Sequence, residues 1–159
     1  MYTETLLADL ENAIQQKLNF WAMPAKSSVT LLTASENATF LISDPSGRRK
    51  IILRVHRPDY HTKTEIESEL AWISDLRTRG LVSTPAPLAG NDGGYLGSVE
   101  AKGRPFSVVA FEFVEGREPN VSQSLPDWFE RLGAVTARYW NYRFKAGGKP
   151  EFAAIHGYA

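Results

Sequence analysis

The chain has 159 residues, 43% of them hydrophobic and 23% charged, with 18 basic and 18 acidic side chains and a formal net charge of zero. That balance gives no electrostatic footprint for nucleic acid or an anionic membrane surface, and the length suits one globular domain rather than two of typical size. The lack of cysteine excludes disulfides and thiolate metal sites and fits a cytoplasmic location, and neither a signal peptide nor an apolar run of membrane-spanning length is present.

From Thr3 to Phe20, Leu6, Leu7, Leu10, Ala13, Ile14 and Leu18 recur at helical spacing, which predicts a helix with one packed face. Val29–Ala34 and Ala38–Ile42 read as strands joined by the small polar turn Ser35-Glu36-Asn37. Asp44-Pro45-Ser46-Gly47 fits a tight turn, in which proline fixes φ and glycine closes the loop. A third strand, Lys50–His56, follows, so three consecutive antiparallel strands are implied. Strand pleating puts Ile52 and Arg54 on one face and Ile51, Leu53 and Val55 on the other. Arg54 is therefore aimed at a buried layer, where a lone charge is costly and a partner is expected.

A helix over 62–79 is opened by Thr62-Lys63-Thr64-Glu65 as a capping box and closed by Gly80. Its stripe of Ile66, Glu69, Leu70, Ile73 and Leu76 carries a single acid, which makes Glu69 the natural counter-ion of Arg54. A rim salt bridge of small energetic value would use the same two residues. Between strand and helix, His56-Arg57-Pro58-Asp59-Tyr60-His61 reads as a solvated loop, and the histidines at 56, 61 and 156 include no pair at metal-ligand spacing. No serine or threonine sits in a nucleophile-elbow pattern, so hydrolase chemistry has no support.

Asn91-Asp92-Gly93-Gly94 reads as a turn, Tyr95–Val99 as a short strand, and Pro105–Val114 as a buried strand ending at Glu115-Gly116. Ser124, as cap, and Pro126, in the first turn, open a last helix. Its apolar stripe is Trp128, Phe129, Leu132, Val135, Tyr139 and Trp140.

Four segments in this order, Ser35-Glu36-Asn37-Ala38-Thr39-Phe40, Leu53-Arg54-Val55-His56-Arg57-Pro58, Ser68-Glu69-Leu70-Ala71-Trp72 and Phe113-Val114-Glu115-Gly116-Arg117, carry a resemblance. Over about residues 25–145 the chain resembles the amino-terminal lobe of the phosphotransferase enzyme family. That kinase-like group holds aminoglycoside phosphotransferases, choline kinases, type II homoserine kinases and stress-response Ser/Thr kinases. The resemblance implies an α+β lobe of about five antiparallel strands with the 62–79 helix packed on it, then a linker and a carboxy-terminal helix. It implies a nucleotide-binding lobe over 1–116, with 117–159 an inter-lobe linker and the start of a second lobe.

Residue by residue, the resemblance puts Arg54 where the family's phosphate-contacting lysine sits, a departure that keeps the charge and adds a fork able to grip two oxygens. Glu69 falls at the helix glutamate that pairs with it. Ser35, Glu36 and Asn37 fall at the turn covering the phosphates, but without the glycines that allow close backbone approach. Such a turn must use its hydroxyl, its amide or a few N–H groups, with Glu36 facing solvent, and a plain hairpin turn is the competing reading of these three residues. Phe113, through its carbonyl, and Val114, through its amide, match the positions that hold the adenine edge, and Phe111 matches one at the back of the pocket.

In the family the acceptor-orienting Asp and the magnesium-binding Asn and Asp lie in a His-Gly-Asp motif and a later Asp motif. Here the terminal Ile155-His156-Gly157-Tyr158-Ala159 has tyrosine in place of the acid and comes too early. ATP and Mg2+ are thus implied for a complete protein, while no catalytic or magnesium-binding residue is assigned in this chain. The expected function is the ATP-binding lobe of a phosphotransferase acting on a hydroxyl of a small molecule, inactive alone. The alternative is a non-catalytic binding or regulatory module. The apolar helix at 127–140 is expected to self-associate, since its cover would come from the absent lobe.

Overall fold

The computed structural model describes residues 2–116 and 125–145, the last seven of these as backbone only. The described residues divide into two units, one of residues 2–70 and 85–113 and the other of residues 71–84, 114–116 and 125–145. The first unit is a mixed α/β body, and its chemistry begins with an N-cap. The Thr3 hydroxyl accepts from the amide of Leu6 at 3.2 Å and opens α1 (Glu4–Gln16). Leu10, Ile14 and Leu18 are buried along one face of it, as their spacing predicts. A 3₁₀ turn, Leu18–Trp21, then leads to Ala22, which takes a left-handed conformation at φ 54°.

Six antiparallel strands follow: β1 (Ser28–Ala34), β2 (Asn37–Ser43), β3 (Lys50–His56), β4 (Pro87–Leu88), β5 (Leu96–Ala101) and β6 (Arg104–Glu112). Their order is β1-β2-β3-β6-β4, with β5 also paired to β6. Register places Leu53 between Phe40 and Ala110, and Val55 between Ala38 and Val108. These residues, with Ile42, Ile51, Val99 and Phe106, form a core with Leu10, Ile14, Leu18, Trp21 and Met23. Each large apolar side chain buried there stabilises the fold by roughly 1.5–3 kcal/mol.

The tight turn forms as its residues dictate. Gly47 sits at φ 69° and donates to the Asp44 carbonyl at 2.9 Å. The Ser46 hydroxyl, at 2.8 Å from the Asp44 carboxylate, holds that group below its ordinary range. At Gly90, by contrast, space rather than φ demands glycine, because a Cβ would stand 2.2 Å from the nearest ring carbon of Phe20.

Helical cover differs in detail from the expectation. The sheet face that carries the main core is covered by α1, whereas α2 (Lys63–Thr78) is joined to the opposite face through Glu69. The capping box of α2 is formed: the Thr62 amide donates to Oε2 of Glu65 at 2.6 Å, and the Glu65 amide returns to the Thr62 hydroxyl at 3.3 Å. At the other end Gly80 sits at φ 63° and the Leu81 amide donates to the Leu76 carbonyl at 3.0 Å, a Schellman closure. β6 ends at Glu112, two residues before the expected Val114, because its last register partner on β3 is Ile51 and its last on β4 is Pro87. The two-residue β4 was not anticipated in a proline-containing stretch.

In the second unit, α3 (Leu125–Lys145) leaves Trp128, Phe129, Leu132 and Val135 exposed. The Ser124 cap, Arg117, the side chains of Tyr139 and Trp140 and the terminal His156-Gly157 lie outside the described residues. No helix among the described residues is long and apolar enough to cross a membrane.

Candidate functional site

Alternation along β3 sends Leu53 and Val55 into the core and therefore turns Ile52, Arg54 and His56 to the opposite face. On that face Thr39 and Val109 flank Arg54, Leu41 and Phe111 flank Ile52, and Asn37 lies opposite His56. Val109 and Phe111 are buried there, outside the main core cluster, so the face is a second, thinner apolar layer.

Arg54 is held across this layer by three contacts. Its Nη1 donates to Oε1 of Glu69 at 3.0 Å and its Nη2 to Oε2 at 2.8 Å, a two-pronged pair. Its guanidinium lies 5.1 Å from the centroid of the Phe111 ring, a cation–π distance. The two side chains are 23% and 39% exposed, so the pair is only half-buried and each ion keeps some solvation. Solvation makes the pair cheaper to hold than a sealed one, and it leaves the cation within reach of a ligand.

The remaining anticipated residues fall in two places. Ser35 and Glu36 form the two-residue link between β1 and β2, where the Ser35 amide donates to the Asn37 carbonyl at 3.1 Å. Both are exposed, so Glu36 faces solvent as a phosphate-side turn would require. Asn37 starts β2 on the Arg54 face, directly opposite His56, while Phe111 lies on the same face beside Ile52, four residues from His56 along β3. Phe113 lies one residue beyond the β3–β6 ladder and meets the Lys50 ammonium at 5.1 Å. Lys50 is four residues along the strand from Arg54, or about 13 Å. Val114 is exposed.

His56 was read from sequence as part of a solvated loop, and here the structure corrects the reading. It is 3% exposed, while Arg57, Asp59, Tyr60 and His61 behind it are exposed. Burial, and then the Arg54 charge, push its pKa from 6.5 down to about 4, so the ring is neutral at pH 7. The signal was available: two residues after Arg54 on a strand is the same face. Two clefts, one lined by Lys17, Phe20 and Ser98 and one by Tyr2, Arg57 and Arg104, involve neither Arg54 nor Glu69. Among the described residues no three His, Asp or Glu side chains are grouped as a metal site.

A model of the phosphotransferase enzyme family matches residues 28–156. An uncharacterized protein of Deinococcus radiodurans is 38% identical over 91 residues, which is 57% of this chain and 25% of that protein. Among solved structures, a microcompartment-associated aminopropanol kinase is 40% identical with a TM-score of 0.70, over 82% of this chain and 40% of that one. An amicoumacin kinase in complex with AMP-PNP, Ca2+ and Ami is 24% identical with a TM-score of 0.64, over 85% and 38% respectively, a likeness of fold alone. The chain thus spans a quarter of the curated relative's length and about two fifths of each solved neighbour.

Proposed function

The chain belongs to the phosphotransferase enzyme family, and on that premise we propose that it is the ATP-binding lobe of a kinase-like enzyme whose complete form phosphorylates a hydroxyl of a small molecule. The observation that carries this reading is the two-pronged Arg54–Glu69 pair linking β3 to α2. A cation on this strand, oriented by a glutamate on the following helix, is how kinase-like lobes grip the phosphates of a nucleotide. In this reading Arg54 binds the phosphates, Glu69 aims it, and Ser35, Glu36 and Asn37 form the turn above them. Phe111 lines the pocket, and the Phe113 carbonyl and Val114 amide take the adenine edge. The lobe is assigned to 1–116, and 117–159 to the linker and the start of a second lobe.

The magnesium ligands and the acceptor-orienting acid are assigned, by likeness to the family, to the remainder of the complete protein. The aminopropanol kinase at 40% identity supports a small-molecule acceptor, and a cytoplasmic ATP pool suits the assignment. Calorimetry with Mg-ATP is expected to show weak or undetectable binding, because a kinase-like cleft closes from both lobes. In an NMR titration at millimolar ATP, the amides of residues 35–37, Phe113 and Val114 are expected to move. Unmoved amides would overturn the reading in favour of a non-catalytic binding module, and phosphoryl transfer by the purified chain would contradict it more seriously.

We assign self-association to the 127–140 helix. Phe129 and Leu132 are 67% and 60% exposed, and Trp128 and Val135 lie on the same exposed stretch. Monomers seldom leave large contiguous apolar patches to water. Light scattering should show a mass that rises with concentration and returns to the monomer value in Phe129→Glu. A mass that stays monomeric at high concentration would contradict the assignment.

A further inference from the structure

Seven shielded side-chain nitrogen or oxygen atoms lack a hydrogen-bond partner among the described residues, and four of them belong to one patch: Oδ1 of Asn37, Nε of Arg54, and both ring nitrogens of His56. Asn37 and His56 are direct cross-strand partners, with Cβ atoms about 5 Å apart in such a pair. Arg54 is two residues back on the same strand and face. A buried polar group left unmatched costs free energy, so the fold alone would favour an apolar residue at 56. The donor chemistry of the patch selects its complement. Arg54 Nε only donates, a neutral imidazole offers one N–H, and the Asn37 amide presents an NH2 when turned. With the guanidinium Nε–H, one imidazole N–H and the turned Asn37 amide, the patch offers three donors, one of them charged, and such a set matches the oxygens of a phosphate. The turn at Ser35-Glu36-Asn37 lacks glycine, so backbone N–H groups have little chance to do this work, and side chains stand in the same place.

We propose that His56 and Asn37, with Nε of Arg54, bind a phosphoryl oxygen of the nucleotide, a side-chain substitute for a glycine-rich phosphate loop. The proposal deepens the ATP-binding reading and rests on it. The charged and titratable groups around His56 are Arg54 on its own strand, Glu69 on α2 and His61 on the intervening loop. The ring of exposed His61 stands edge-on to that of His56 at 6.4 Å between centroids, which places a surface side chain next to the patch. A phosphate arriving beside the imidazole favours its protonation, which adds a cation to the site as the ligand binds.

The test is an NMR titration of the chain with inorganic triphosphate, followed at the His56 ring nitrogens and at backbone amides. Wild-type ring resonances should move on binding. His56→Leu should bind about tenfold more weakly or worse, as for loss of a hydrogen bond to a charged group, while its melting temperature holds or rises. A purely structural histidine would behave oppositely, with changed stability and unchanged binding. If amides of 35–37 move but the His56 ring does not, the proposal falls and the ATP-binding reading stands. If neither triphosphate nor ATP moves any of these signals, both fall. Should His56→Leu fail to fold, the wild-type ring shifts decide alone.

Discussion

Replacing Arg54 with methionine is expected to weaken triphosphate binding by roughly 10- to 100-fold, the range of one to two hydrogen bonds to a charged group, while changing stability by only about 1 kcal/mol. The asymmetry follows from exposure. With the two side chains 23% and 39% exposed, the abandoned Glu69 carboxylate can hydrate, so the penalty for an unpaired buried ion does not arise. A sealed pair would have cost more to break, about 3–5 kcal/mol. Arg54→Lys keeps the charge but loses the fork and the planar stacking on Phe111, and should fall between wild type and methionine. The comparison needs a triphosphate titration followed by NMR and urea unfolding followed by tryptophan fluorescence. Methionine binding as wild type would remove Arg54 from the site, and a large stability loss would show that the pair is structural instead.

Acidification is expected to destabilise the chain through His56. Its folded pKa is depressed to about 4 from 6.5, so between those values the unfolded state holds a proton that the folded state excludes. The stability contributed is fully present above pH 6.5, declines as the pH falls, and is lost through about pH 4. The whole shift corresponds to roughly 3 kcal/mol, of which about 2 kcal/mol is lost between pH 7 and pH 5. Urea midpoints measured at pH 7 and pH 5 should therefore differ in the wild type and converge in His56→Leu, which has no proton to exclude. An equal loss in the variant would place the acid sensitivity in a group other than His56; the depressed carboxyl of Asp44 makes its contribution only below this pH window.

Much of the fold was legible because its signals are local. The spacing of Leu10, Ile14 and Leu18, the alternation of Ile51, Leu53 and Val55, the capping pair Thr62 and Glu65 and the closing Gly80 each act within a few residues, and each formed as read. The Arg54–Glu69 pair was equally accessible, since strand and helix periods together name one cation and one acid. What only the tertiary structure decided depends on neighbours distant in the chain. That α1 covers the core face, and that β6 stops at Glu112, follow from which strands pair and where their ladders end. The half-exposure of Arg54 and the sealing of His56 were likewise undetermined, because alternation says which side a residue takes but not how thickly that side is covered. A polar residue at a strand end reads as solvated until the packing around it is known, and that packing made the histidine neutral and placed it beside the candidate phosphate cation.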